Sequence, residues 1–135
     1  MNQDAFIKLV PNSAKQTITL QDVKTLFSYY KEITFQTGQQ LGWNYGDSAF
    51  PYKMIDTSES TLQLKSDHDR YHTIFVGVGT EQAKEEEQHF IQITLPATAT
   101  FGDKGKANEL CRFLAKKLNG ELHLFNGRIM YFYKR

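Results

Sequence analysis

Between Ser66 and His72 the chain reads SDHDRYH, two carboxylates and two imidazoles within seven residues. These are the groups that bind divalent metals or move protons near neutral pH. A metal centre needs three or four ligands meeting at one point. If strands over 71–78 and 89–95 pair around a loop centred near residues 83 and 84, Val78 faces His89 and His72 faces Leu95. The two imidazoles then lie about 20 Å apart along the ladder. His123 belongs to a later hairpin, which leaves Asp67, His68 and Asp69 as a local set. A turn favours these for a simpler reason, because Asp side chains accept hydrogen bonds from nearby backbone N–H groups. The stretch reads first as a polar turn feeding an aliphatic strand, with His72 half-buried beside Ile74, Val76 and Val78. A metal or acid/base site at 67–72 is the competing reading.

Other chemistry is sparse. Cys111 sits mid-helix between Leu110, Phe113 and Leu114 with nothing to activate its thiol, and a lone cysteine builds no multi-thiolate zinc site. No Gly-x-Ser-x-Gly elbow and no His-Glu-x-x-His motif occurs. Gly77-Val78-Gly79 is followed by acid-rich sequence rather than by the amphipathic helix of a dinucleotide fold. These readings point away from an enzyme, and no cofactor is expected. The segment Phe101-Gly102-Asp103-Lys104-Gly105-Lys106, read as a loop ahead of a helix, is more suggestive. Gly102 and Gly105 would let backbone N–H groups approach an anion while Lys104 and Lys106 supply full charges. Gly102-x-x-Gly105 leading into a helix resembles the clamp of a KH domain, although too few residues separate Pro96 from Gly102 for the helix that precedes such a clamp.

The elements that must position these groups follow from periodicity. Residues 5–10 read as a strand closed by Pro11. Thr19-Leu20-Gln21-Asp22 is a capping-box signature ahead of a helical stripe at Val23, Leu26, Phe27, Tyr30, Ile33, Thr37 and Leu41, with Gly42 as its stop. Trp43–Tyr52 reads as an irregular aromatic stretch folded on the core. Strands are expected at 52–56, 61–66, 71–78 and 89–95, with an acid-rich loop at 79–88. A second helix carries Ala107, Leu110, Cys111, Leu114 and Leu118 on one face and ends at Asn119-Gly120. Strands 121–125 and 128–133 then flank Asn126-Gly127, read as a two-residue turn. The order β-α-β-β-β-β-α-β-β predicts an α+β domain over residues 1–135. It should be a mainly antiparallel sheet of six or seven strands with both helices on one face.

Composition agrees: 40% hydrophobic and 13% aromatic residues in 135 are normal for one globular domain. The absence of an apolar run near 18 residues and of an export signal, together with the single cysteine, fits a reducing cytoplasm and no membrane span. Net charge is +1, but residues 53–87 carry four Lys/Arg against eight Asp/Glu, and residues 103–135 carry eight against three. The basic C-terminal third, including Arg128, gives a second functional reading: nucleic-acid or phosphate-ligand binding with Gly102, Lys104, Gly105 and Lys106.

The first functional reading comes from the strand faces. Phe75 and Phe90 oppose the aliphatic faces of their strands, and Phe125, Met130 and Phe132 share one face of the last hairpin in the two-residue-turn register. A sheet with helices on one side should be polar on the other. This one carries rings, so a cover is expected: the Trp43–Tyr52 segment, a second copy of the chain, or stacked bases. An interaction domain, homodimeric through Phe75, Phe90, Phe125, Met130 and Phe132, is the leading expectation.

The stretches AFIKLVP at 5–11, QLGWNY at 40–45 and AFPYKM at 49–54 resemble a family of small uncharacterised proteins from Bacillus and related Gram-positive bacteria. The resemblance implies an α+β fold and a cytoplasmic bacterial protein, and it brings no activity or site residue with it.

Overall fold

Thr19 and Asp22 form the expected reciprocal cap. The Thr19 hydroxyl accepts from the Asp22 N–H at 3.1 Å and the Asp22 carboxylate accepts from the Thr19 N–H at 3.0 Å. In the computed structural model, which describes residues 2–41, 50–83 and 86–133, helix α1 (Leu20–Leu41) follows from that cap. Its Val23 and Phe27 are fully buried, while the expected stop at Gly42 lies outside the described residues. The other described elements are β1 (Gln3–Lys8), β2 (Lys53–Asp56), β3 (Thr61–Lys65), β4 (Thr73–Ala83), β5 (Glu86–Leu95), α2 (Phe101–Leu118), β6 (Glu121–His123) and β7 (Ile129–Tyr131).

The strands form one seven-stranded sheet in the order β2-β3-β4-β5-β1-β6-β7, every pairing antiparallel. Side chains alternate across it. One face supplies Ala5, Ile7, Leu62, Leu64, Ile74, Val76, Ile91, Ile93, Leu95 and Leu122 to a core completed by Val23 and Phe27 of α1 and by Ala107, Leu110, Cys111 and Leu114 of α2. Phe50 and Tyr52 enter the same core, Phe50 against Phe27 at 5.6 Å between ring centroids. The described end of the aromatic stretch therefore packs on the helical side, and residues 42–49 lie outside the described residues. Burial pushes the Cys111 thiol up to about 12, in keeping with a core residue.

Three sequence expectations shift. The acid-rich loop at 79–88 is largely ladder: β4 runs on to Ala83 and β5 begins at Glu86, so Val78 faces Ile91 and Thr80 faces His89. Strand continuation there needs no apolar face, because the two strands satisfy each other's backbone groups in a projecting ribbon. His72, expected opposite Leu95, precedes the paired strand and is exposed.

The second shift is in α2, which starts at Phe101 with Thr100 as its cap. Gly102 to Lys106 are thus the helix's first turns and no loop.

The third shift changes a face. The last hairpin turns through Phe125, Asn126 and Gly127, with Gly127 N–H donating to the Leu124 carbonyl and Leu124 N–H to the Arg128 carbonyl. Only Gly127, at φ +86°, takes the left-handed conformation in this turn, the pattern of a three-residue loop rather than the two-residue turn. The extra residue pairs Leu122 with Met130 and His123 with Ile129. A one-residue slip exchanges every side chain between faces. Met130 therefore joins the core side with Phe125 and Phe132, which pack against the buried cluster, while Ile129 and Tyr131 become exposed. Gly127→Ala should lower stability by about 1–2 kcal/mol, the usual cost of a Cβ in the left-handed region. Equilibrium urea unfolding measures this, and an unchanged midpoint would contradict the turn assignment.

Candidate functional site

The SDHDRYH turn is held by its own groups. The Ser66 hydroxyl accepts from the His68 N–H at 3.1 Å, and His68 Nδ1 accepts from the Arg70 N–H at 3.2 Å. Asp67, His68, Asp69 and Arg70 are exposed. Among the described residues no group of three or more His, Cys, Asp or Glu side chains is placed to hold a metal. His72 contributes its backbone, not its imidazole, to the carboxylate of Asp103.

Asp103 is the residue that this region is built around, and it is fully buried. The Tyr52 hydroxyl donates to it at 2.6 Å, the His72 N–H at 2.9 Å, the Thr73 N–H at 3.3 Å and the Thr100 N–H at 3.0 Å. One carboxylate thereby ties α2 to the start of β4 and to the segment before β2. Burial works to raise its pKa. The hydrogen bonds from Tyr52 and from the backbones of His72, Thr100 and Thr73 outweigh that and hold it below the usual carboxylate value. Tyr52 is pushed far up by its own burial and by the adjacent carboxylate, so it remains a donor. All donors are matched, which makes this a structural staple.

The same packing accounts for the glycine motif at the helix start. A side chain at Gly102 would run into the Arg70 carbonyl oxygen and come within 3.1 Å of the Tyr71 ring. Its small size is used against the protein's own turn. Thr100 completes the contact, its hydroxyl donating to that carbonyl at 2.6 Å and accepting from the Asp103 N–H at 3.0 Å. Lys106 is largely buried and its ammonium pairs with Glu109 at 2.6 Å. Gly105 faces open space, and Lys104 is exposed with its ammonium 5.3 Å from the Phe101 ring centroid. Of the proposed anion-binding set, Gly102 and Lys106 are thus engaged internally. Lys104 and Arg128 remain on the surface.

The sheet face away from the helices is the second assembly. Alternation places Phe6, Phe75, Phe90, Gln63, Gln92, Thr61 and Thr94 there, with Gly77 and Gly79 between them. Phe75, Phe90, Gln92 and Thr94 edge a shallow groove of about 350 Å³ floored by the two glycines. The Phe90 ring covers Gly79, where an added Cβ would approach it to 2.8 Å, and meets Phe6 edge-on at 5.7 Å. The Thr94 hydroxyl donates to Asp4 at 2.6 Å, and Gln92 donates to the same oxygen at 3.1 Å. Toward β7, His123 meets Glu121 at 2.7 Å and the Tyr133 hydroxyl donates to Glu121 at 3.1 Å. Of the five rings and thioethers proposed for an interface, Phe75 and Phe90 share this face. Phe125, Met130 and Phe132 lie on the other side of the hairpin.

Comparison with known proteins agrees with the fold. A domain of unknown function, DUF1885, matches residues 3–134. The chain belongs to the DUF1885 family. A crystal structure of a protein of unknown function from Bacillus stearothermophilus is 48% identical to it and superposes with a TM-score of 0.59, over 88% of this chain and 92% of that one. No curated protein matches. The resemblance to small uncharacterised proteins of Bacillus and its relatives, read from three short stretches, is thereby borne out.

Sequence reading of the DUF1885 chain missed Asp103 and Tyr52. The signal was present: Thr100-Phe101-Gly102-Asp103 has the same Thr-x-x-Asp spacing as Thr19–Asp22 and marks the helix start. Tyr52 carries no local mark, since only the fold brings it to Asp103. Among the described residues no helix is long and apolar enough to cross a membrane.

Proposed function

We propose that the DUF1885 chain is a non-enzymatic interaction domain that docks a second copy of itself through the sheet face left open by the helices. The observation carrying this reading is the ring-lined groove itself. An antiparallel sheet with one face in a core normally presents polar side chains on the other, yet Phe75 and Phe90 edge a glycine floor here, with Phe6 packed edge-on against Phe90. Ile55, Ile129 and Tyr131 extend the apolar surface toward the sheet's edges, each about 40% exposed.

Charge favours a second copy over a polyanion. By alternation the face carries Lys8, Lys53 and Lys65 against Asp4, Glu81, Glu86 and Glu121, three of one sign and four of the other. A nucleic acid would meet more carboxylates than ammonium groups. A surface bearing both signs in nearly equal number can complement itself, as an isologous interface requires, and a net charge of +1 opposes association little.

Light scattering at tens of micromolar protein tests the reading. Wild type should have twice the chain mass and Phe75→Asp should have the monomer mass with unchanged circular dichroism. Ser28→Asp, on the exposed side of α1, should remain dimeric. A monomeric wild type sinks the proposal.

A further inference from the structure

A second recess lies away from the sheet face, a cleft of about 150 Å³ between the start of α2 and the β6–β7 hairpin. Leu124 and Phe125 supply apolar lining, and Lys104, Asn108, Asn126 and Gln3 supply polar groups. Among the described residues no carboxylate lines the cleft and Lys104 has no acidic partner. Its ammonium rests instead beside Phe101, a ring 90% exposed. Asn126 uses its carbonyl to accept from the Arg128 N–H at 3.0 Å, which leaves its NH2 group as a donor. Exposed Arg128 adds a second positive charge on the hairpin side.

This recess does not depend on the end of the helix. The Thr100 hydroxyl already accepts the Asp103 N–H, and the helix's first acidic residue is turned inward as the staple. What the cleft offers is a full positive charge and side-chain amides around a small apolar floor. Lysine is a compact point charge suited to phosphate, whereas planar carboxylates are better matched by a bidentate arginine fork. The volume is below the roughly 300–1,000 Å³ that encloses a drug-sized molecule, so the cleft takes the head of a ligand and leaves the rest in solvent.

We propose that this cleft binds the phosphate group of a small phosphomonoester, with Lys104 and the Asn126 amide as donors and the ligand's first ring or alkyl atoms against Phe125. The site is independent of self-association, so a monomeric chain retains it.

Titration of the 15N-labelled full chain with phenyl phosphate, followed by heteronuclear NMR at low salt, tests the assignment. The expected result is saturable movement of the Asn108, Phe125 and Asn126 amides, weakening as sodium chloride is added. Lys104→Gln should weaken binding by about tenfold, the scale of one charge-assisted hydrogen bond. Lys116→Gln, on the same helix away from the cleft, should leave it unchanged. Phenol separates the ring from the phosphate, and benzoate separates phosphate from anions in general. Absence of saturable movement, equal binding of phenol or benzoate, or indifference to Lys104→Gln would each overturn the proposal.

Discussion

Asp103→Ala is expected to destabilise the DUF1885 chain by about 3–5 kcal/mol, the range for breaking a buried, multiply bonded charged group. In a chain of this size that lowers the melting temperature by about 10–20 °C. The carboxylate is fully buried and accepts from the Tyr52 hydroxyl and the N–H groups of His72, Thr73 and Thr100. Its removal leaves those donors buried without partners, and each costs more unpaired than its bond contributes when made. Tyr52→Phe removes one donor and leaves the carboxylate its backbone partners, so it should cost about 1–3 kcal/mol.

The pH dependence has a fixed sign. In the fold the Asp103 carboxyl titrates below its ordinary value, so the unfolded chain binds the proton more readily. Its contribution is complete above the unfolded value of about 3.9 and is lost as pH falls through the folded value. Urea unfolding between neutral and acid pH should therefore show wild type losing stability steeply below about pH 4. Asp103→Asn should start lower and fall less. An acid limb identical in wild type and Asp103→Asn would rule out this group as its source.

Gly102→Ala and Gly105→Ala, three residues apart on one helix, are expected to change stability in opposite directions. At Gly102 the new methyl meets the Arg70 carbonyl oxygen and the Tyr71 ring. A backbone carbonyl held by the Thr100 hydroxyl at 2.6 Å gives way poorly, so the variant should lose about 2–3 kcal/mol through overpacking. At Gly105 nothing lies within 4 Å and the backbone is helical. Alanine there removes unfolded-state entropy and should add about 0.5–1 kcal/mol. Thermal or urea unfolding of the two variants decides between this account and a functional one. If Gly102→Ala is as stable as Gly105→Ala, the close packing of helix on turn is wrong.

Much of the architecture is legible in the sequence. Helix α1 was readable because the Thr19–Asp22 cap and the Val23 and Phe27 stripe agree with each other, and local consistency of that kind needs no partner. The α+β order and the antiparallel meander followed from periods of two and three to four residues interrupted by turn residues. Failures came where an identical local signal admits two answers. Asn126-Gly127 permits a two-residue or a three-residue turn, and the choice moved Met130 from the open face to the core side. Glycines before a helix suit either an anion or a neighbouring loop, and Arg70 and Tyr71 occupy the space at Gly102.

The sequence by itself determined the order of helices and strands and that both helices pack on one face of the sheet. These depend on periodicity and on residues near one another in the chain. Tertiary structure alone decided that Asp103 from α2 meets Tyr52 from 51 residues earlier, that Phe6 joins Phe90 on the open face, and that Lys104 shares a cleft with Asn126. Such meetings depend on which strands become neighbours and in what register, and a single residue of slip reverses every face.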